Sequence, residues 1–188
     1  MRPGGDAREA LGDGADDRVI GAALADRDCG PLIRASQLAR VRGFLDAAKQ
    51  RGIATVASGH IAADAPAGGY YVAPVLLRDV LPDAPLACDE VFGPVLAAMP
   101  FDDEVHAVAL ANATDYGLAA GVWTRDGARQ LRMARAVQSR QVFVNNYGAG
   151  GGVELPFGGV KHSGHGREKG FEALYAFTTL KTVVLRHG

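Results

Sequence analysis

The stretch "ACDEVFGPVL", residues 87–96, sets Asp89 and Glu90 side by side, follows them with Phe92, and closes on the Gly93-Pro94 turn. A carboxylate accepts hydrogen bonds from hydroxyls, and an aromatic ring packs against a flat face. Held together by a rigid turn, the two suit a ligand with sugar hydroxyls at one end and a planar ring at the other. A nucleotide is such a ligand. The competing reading is a solvated acidic turn, which residue types alone favour.

The other residues capable of chemistry are weaker. "GAGGGV" fails the dinucleotide fingerprint because Val153 stands at the third glycine, and no helix opens there. "GHGREKG" leads into a helix, but it follows a loop and its last spacing is one residue too long. Both read as tight turns rather than phosphate loops. His162 and His165 lie three apart on a Gly-Ser turn with no convergent acid or cysteine, so no metal is expected. Cys29 precedes Gly30-Pro31 with no base in sight, and Cys88 beside two acids lacks the positive neighbours that make a reactive thiolate. Asn145 and Asn146 end an apolar run and enter a Gly-rich stretch, where they bind a ligand or tie the loop down.

The elements that must position these residues alternate. Leu38, Val41, Leu45 and Ala48 mark one face of a helix, with Ser36 as its cap and Gly52 as its stop. "ATVAS" reads as a strand, "GGYYVAPVLLRDV" as an extended segment broken by Pro74, and "PVLAAMPF" as a buried strand. Asp102 or Asp103 caps a helix to about Ala113, and "GLAAGVWT" is a strand. Asp126 opens a further helix carrying Ala128, Leu131, Ala134 and Val137, and "QVFVNN" is a strand again. The alternation predicts an α/β domain with a largely parallel sheet. Residues 148–166 are too long and Gly-rich for an ordinary connection, which points to function. A last helix sets Phe171, Leu174, Tyr175 and Thr178 on one face, and "TVVL" reads as a terminal strand in need of a sheet edge. The first 28 residues, rich in Gly, Ala and Asp, read as a flexible arm with at most a short helix from Ala7 to Leu11.

Composition narrows the function classes. The 188 residues carry a net charge of -1 and are 48% hydrophobic, which suits one soluble globular domain with a sizeable core and offers no basic field for nucleic acid. No apolar run approaches a membrane span, and no signal peptide is expected. Two distant cysteines make no disulfide framework, so a reducing, cytoplasmic setting is expected.

Several stretches in order, "CGPLI", "YYVAPVLLRDV", "DEVFGPVL", "PFDDEVHAVALANATDYGLAAGVWTRD", "QVFVNNY", "LPFGGVKHSGHGREKG" and "FTTLKTVV", resemble the C-terminal half of an NAD(P)-dependent aldehyde dehydrogenase. The resemblance runs from about Val19 to the end. It implies a parallel-sheet catalytic domain of that type over residues 29–178 and an oligomerisation strand over 179–188. It implies that Glu90 accepts hydrogen bonds from the nicotinamide ribose of NAD or NADP and that Phe92 packs at the nicotinamide end. It places Phe157 beside an aldehyde tunnel with Asn145, Asn146 and Tyr147 close to it. Gly158, Gly159, Gly164 and Gly166 would let the backbone fold tightly there.

The same resemblance locates the family's nucleophilic cysteine, general-base glutamate, oxyanion-hole asparagine and Rossmann-type domain N-terminal to "GPLI". The expectation is therefore a truncated dehydrogenase with no catalytic residue of its own. Cys29 directly precedes "GPLI" and is not the nucleophile by position. The family reaction, thiolate attack on the aldehyde, hydride transfer and thioester hydrolysis, needs those groups. Two rivals stand beside this reading: an interaction module that joins dehydrogenase subunits through "KTVVL", and one chain of a split enzyme. A homo-oligomer or a hetero-oligomer with a dehydrogenase subunit is expected.

Overall fold

Helix α1, Ala35–Gln50, forms where Leu38, Val41, Leu45 and Ala48 share a face; Val41 and Ala48 are buried. Its hydrogen bonding begins at Arg34, whose carbonyl accepts from the amides of Gln37 and Leu38. Ser36 therefore lies inside the first turn and is not the cap that its residue type suggested. The helix stops at Gly52, whose φ of +72° carries the left-handed conformation that a side chain would oppose. This computed structural model describes Val19–Ile20, residues 29–148 and residues 152–188, and the chain divides into two compact units, one through Asp102 and one from Asp103.

In the first unit, β1 (Val19–Ile20) pairs in parallel with β3 (His60–Ile61). These two residues of the expected arm are thus a short β-branched strand. The helix expected at Ala7 to Leu11 lies outside the described residues. Strand β2 (Ala54–Ser58) runs antiparallel to β4 (Val75–Arg78), with a register shift between Thr55 and Ala57, and β4 runs parallel to β5 (Val95–Ala97). As the middle strand, β4 buries both Leu76 and Leu77, which a strand covered on both faces permits. Helix α2 (Pro85–Cys88) starts on a proline, whose missing N–H costs nothing in a first turn. Val41, Ala48, Val72, Leu77, Val80, Ala84, Leu86 and Val91 close into one core under these elements.

In the second unit, Asp103 caps α3 (Glu104–Asn112) by accepting from the His106 amide at 2.8 Å. Strand β6 (Tyr116–Gly117) precedes β7 (Ala119–Val122). Asp126 then caps α4 (Gly127–Ala136), accepting from Ala128 and Arg129 at 2.9 and 3.1 Å. That helix returns the chain to β8 (Gln141–Val144), parallel to β7 across four register pairs. This is a strand–helix–strand crossover. Strand β9 (Val160–Lys161) pairs antiparallel with β6, and α5 (Glu172–Ala176) follows. The α/β class holds, with both parallel and antiparallel pairings among the described strands.

The C-terminal end leaves its apolar residues uncovered. Phe171, Leu174 and Tyr175 are exposed, and Ala173 is the residue that α5 buries. Thr178 donates to the Leu174 carbonyl at 2.7 Å where the helix gives out. The "TVVL" residues form no strand here, and no strand among the described residues pairs with them. Leu131, one of the apolar residues spaced three apart on α4, is likewise exposed. No helix among the described residues is long and apolar enough to cross a membrane.

Candidate functional site

Asp89, Glu90, Phe92 and Gly93 line an open depression of about 500 Å³ in the first unit, with Leu86, Val91, Val95 and Ala97 completing it. The turn that carries them is fixed from behind by α1. Gln37 donates its side-chain amide to the Val91 carbonyl at 3.0 Å and the Phe92 carbonyl at 2.8 Å. One helical turn on, Arg40 donates to the Glu90 carbonyl at 2.8 Å, and its guanidinium carbon lies 5.0 Å from the Phe44 ring. A Cβ on Gly93 would come within 2.6 Å of the buried Val41 side chain, so only glycine lets the turn lie this close to the helix. Beyond it, the Val75 amide donates to the Pro94 carbonyl at 2.9 Å and Val95 donates to Gly93 at 2.8 Å, which ties the turn into β4 and β5.

Phe92 itself has φ +59°, a left-handed conformation unusual for a ring-bearing residue. Such backbone costs on the order of 1–3 kcal/mol and persists where its surroundings over-determine it. Here the surroundings are Gln37 and Gly93. The ring is 68% exposed and the Glu90 side chain is exposed as well. Carboxylate and ring therefore stand on one rigid edge, as the sequence suggested. The two helix residues that hold the edge, Gln37 and Arg40, were missed. They lie 50 to 55 positions from their partners, and nothing local marks them.

Asn145, Asn146 and Tyr147 follow one another at the end of β8 in the second unit. Asn145, at φ +53°, accepts from the Thr124 amide at 2.9 Å and donates to the Thr124 carbonyl at 3.0 Å. Its amide thus prolongs the β7–β8 pairing and ties the loop down. Asn146 accepts from the Tyr147 amide at 2.8 Å, and the Tyr147 ring tilts onto Phe143 with 5.7 Å between centroids. Both are exposed.

Phe157 is half-buried; Lys169 Nζ lies 5.6 Å from its ring, and its carbonyl accepts from the Glu168 amide. The glycines after it allow close approach. A Cβ on Gly158 would meet the Gly166 carbonyl at 2.5 Å, and one on Gly159 the Ser163 carbonyl at 2.4 Å. Lys161 then anchors the loop to α3, donating to the carbonyls of Asn112 at 2.9 Å and Thr114 at 2.8 Å. A cation at a helix C-terminus satisfies otherwise unpaired carbonyls. Ser163 Oγ accepts from the Gly117 amide at 3.1 Å.

The Cys88 thiol donates to the Pro82 carbonyl at 3.1 Å. A strong electrostatic feature of the second unit is structural. Glu104 of α3 receives two hydrogen bonds from Arg132 at 2.7 Å and one from Arg129 at 3.2 Å, both on α4. The Arg132 pairing, helped by Arg129, holds the Glu104 carboxyl down at about 2.

The family model for the aldehyde dehydrogenase family matches residues 6–183. The chain belongs to that family. It is 41% identical over 168 residues to rat (Rattus norvegicus) 4-trimethylaminobutyraldehyde dehydrogenase, covering 88% of this chain and 34% of the relative. It is 39% identical over 171 residues to betaine aldehyde dehydrogenase 1 of Rhizobium meliloti, covering 90% and 35%. A crystal structure from Burkholderia cenocepacia, described as a candidate aldehyde dehydrogenase, is 64% identical with a TM-score of 0.90 and covers 96% of this chain and 38% of its own. The Mycobacterium tuberculosis aldehyde dehydrogenase complexed with NAD+ is 35% identical with a TM-score of 0.79, covering 92% and 35%. The chain spans about a third of the length of these dehydrogenases.

Proposed function

We propose that this chain supplies binding walls of an NAD(P)-dependent, aldehyde-oxidising dehydrogenase. In the first unit the Glu90 carboxylate accepts hydrogen bonds from the nicotinamide ribose hydroxyls, and the Phe92 ring packs at the nicotinamide end. In the second unit Asn146, Tyr147 and Phe157 face the aldehyde, while Asn145 holds the strand end that presents them. The observation that carries this reading is the edge at residues 89–93. An acceptor-only carboxylate and an exposed ring line one depression on a backbone pinned from behind. That pairing of acceptor and ring fits a ribose and a flat ring, and the cofactor, once bound, accepts hydride. The residues of this chain bind and orient; neither Cys29 nor Cys88 forms the bond to substrate. The free thiols accord with a cytoplasmic setting.

Saturation-transfer NMR with NAD+ tests the reading. Two or three hydrogen bonds and one ring contact barely offset the freedom lost on binding, so millimolar affinity is expected. Saturation should concentrate on the nicotinamide and its ribose, and weaken in Glu90→Gln and Phe92→Ala. Transfer confined to the adenine end, or unchanged by both substitutions, overturns it. A second reading, a module joining dehydrogenase subunits, draws on the exposed apolar residues Leu180, Val183, Val184 and Leu185.

A further inference from the structure

We infer that Gln141 is a positioning residue for the segment that carries Phe157. Its carboxamide brackets that residue, donating to the Pro156 carbonyl and accepting from the Gly158 amide, so that β8 sets where the Phe157 ring lies. The inference rests on the aldehyde reading of Phe157 given above.

Gln141 opens β8 opposite Ala119, and its main-chain amide donates to the Leu118 carbonyl at 3.1 Å. The side chain therefore springs from a held end of the parallel pair. Its Nε2 reaches the Pro156 carbonyl at 3.5 Å, the long limit of a hydrogen bond. Its Oε1 is buried and has no donor among the described residues. A buried acceptor left unpaired is costly, so the segment that takes one half of the carboxamide is the natural source for the other half.

Pro156 cannot supply the donor, because it has no N–H. The Pro156 carbonyl is taken by Gln141, while the next carbonyl, that of Phe157, is taken by the Glu168 amide at 2.8 Å. Successive carbonyls that go to different partners follow the alternation of extended backbone. The same alternation turns the Gly158 amide to the side of the Pro156 carbonyl. A residue in a parallel ladder bonds the carbonyl before and the amide after the residue it faces. The Gln141 carboxamide stands in that relation to Phe157. A shift of the segment toward β8 by roughly half an ångström brings the 3.5 Å contact to ordinary length and carries the Gly158 amide toward Oε1.

The test uses the whole 188-residue chain. Gln141→Met keeps the stem and removes both bonding groups, and Gln141→Asn keeps the carboxamide but shortens its reach by one methylene. Two readouts are taken: hydrogen exchange at the Gly158 amide, and saturation transfer to butyramide, an unreactive carbonyl analogue of an aliphatic aldehyde. Both variants should speed Gly158 exchange about tenfold, leave Ala120 and Val142 protected, and lower butyramide affinity severalfold.

Polarity alone would spare the shorter carboxamide, so a Gln141→Asn chain that behaves like the parent overturns the inference. Unchanged Gly158 exchange in both variants does the same, as does faster exchange with unaltered butyramide affinity. Should either variant loosen β8 itself, the unsubstituted chain decides: a nuclear Overhauser contact between the Gly158 amide proton and the Gln141 side-chain amide is expected, and its absence overturns the latch. If the unsubstituted chain transfers nothing to butyramide, the aldehyde reading fails instead, and Gly158 exchange alone decides whether Gln141 holds the segment.

Discussion

Position 92 carries a conflict between backbone and side chain that substitutions can separate. The Phe92 ring is mostly exposed, so removing it loses little burial, yet its φ of +59° suits glycine. Phe92→Gly is expected to hold or raise stability by up to about 1 kcal/mol, whereas Phe92→Val, β-branched at positive φ, lowers it by a similar amount. Urea unfolding of the two variants gives the comparison, and two shifts of the same sign would contradict it. One residue on, the conflict reverses. Gly93→Ala drives a Cβ to within 2.6 Å of a fully buried Val41 side chain and should cost about 1–3 kcal/mol by overpacking. A midpoint unchanged from the parent would mean that α1 moves away freely. The acidic and aromatic residues of this edge are legible in sequence because their chemistry sits in adjacent positions. Gln37 and Arg40 are not, because polar residues on a surface helix look alike until the fold brings the turn to them.

At the scale of elements, the second unit is joined by side chains as much as by strands. Glu104 links α3 to α4 through Arg129 and Arg132, and its carboxyl is held at about 2 in place of the ordinary 4.5. A lowered native pKa contributes stability that is whole above about pH 4.5 and lost as the pH falls toward 2. Thermal melts of the parent and Glu104→Gln should therefore differ at pH 7 and converge by pH 2. A gap that persists at the acid end would assign the effect of Glu104 to packing instead. Lys161 acts likewise on the loop after Phe157: Lys161→Met should speed amide exchange at Gly117, Ser163 and Gly164 while leaving β7 and β8 protected, and uniform exchange across the unit would argue against an anchoring role. Helix starts at Asp103 and Asp126 are readable because capping is local chemistry. The start of α1 is not, since Arg34 caps it with backbone alone. The apolar spacing in α5 is real, but spacing does not say whether anything covers the face, and here Phe171, Leu174 and Tyr175 remain open.

Across the whole molecule, apolar surface is distributed unequally. The buried cluster belongs to the first unit, while the second exposes Trp123, Phe171, Phe177, Leu180 and Val184. Large exposed apolar area drives association, and an unpaired β-branched segment is a template for pairing. The 188 residues should scatter light as dimers or larger species, with Thr182–Leu185 at a contact. A monodisperse monomer at high concentration, unaltered by Val183→Lys and Val184→Lys, would refute this. Assayed alone with aldehyde and NAD(P)+, the same polypeptide should produce no NAD(P)H if, as proposed, its residues bind and orient without bonding to the substrate. Turnover abolished by Cys29→Ser or Cys88→Ser would reverse that assignment. The α/β class was readable from alternating apolar runs and helical spacings. The division near Asp102 was not, because the segment around "MPFDDE" carries none of the Gly, Ser or Pro runs that mark a linker.

The register of that division along the chain has a consequence for biosynthesis. Every residue of the first unit's core, from Val41 to Val91 with Met99 at its margin, is translated before Asp103. Chains fold by units as they emerge, N-terminal part first. Once enough of the second unit has been added for residues up to Asp102 to emerge, the first unit can therefore close its core and hold its Glu90–Phe92 turn against α1 before the half that exposes more apolar surface is complete.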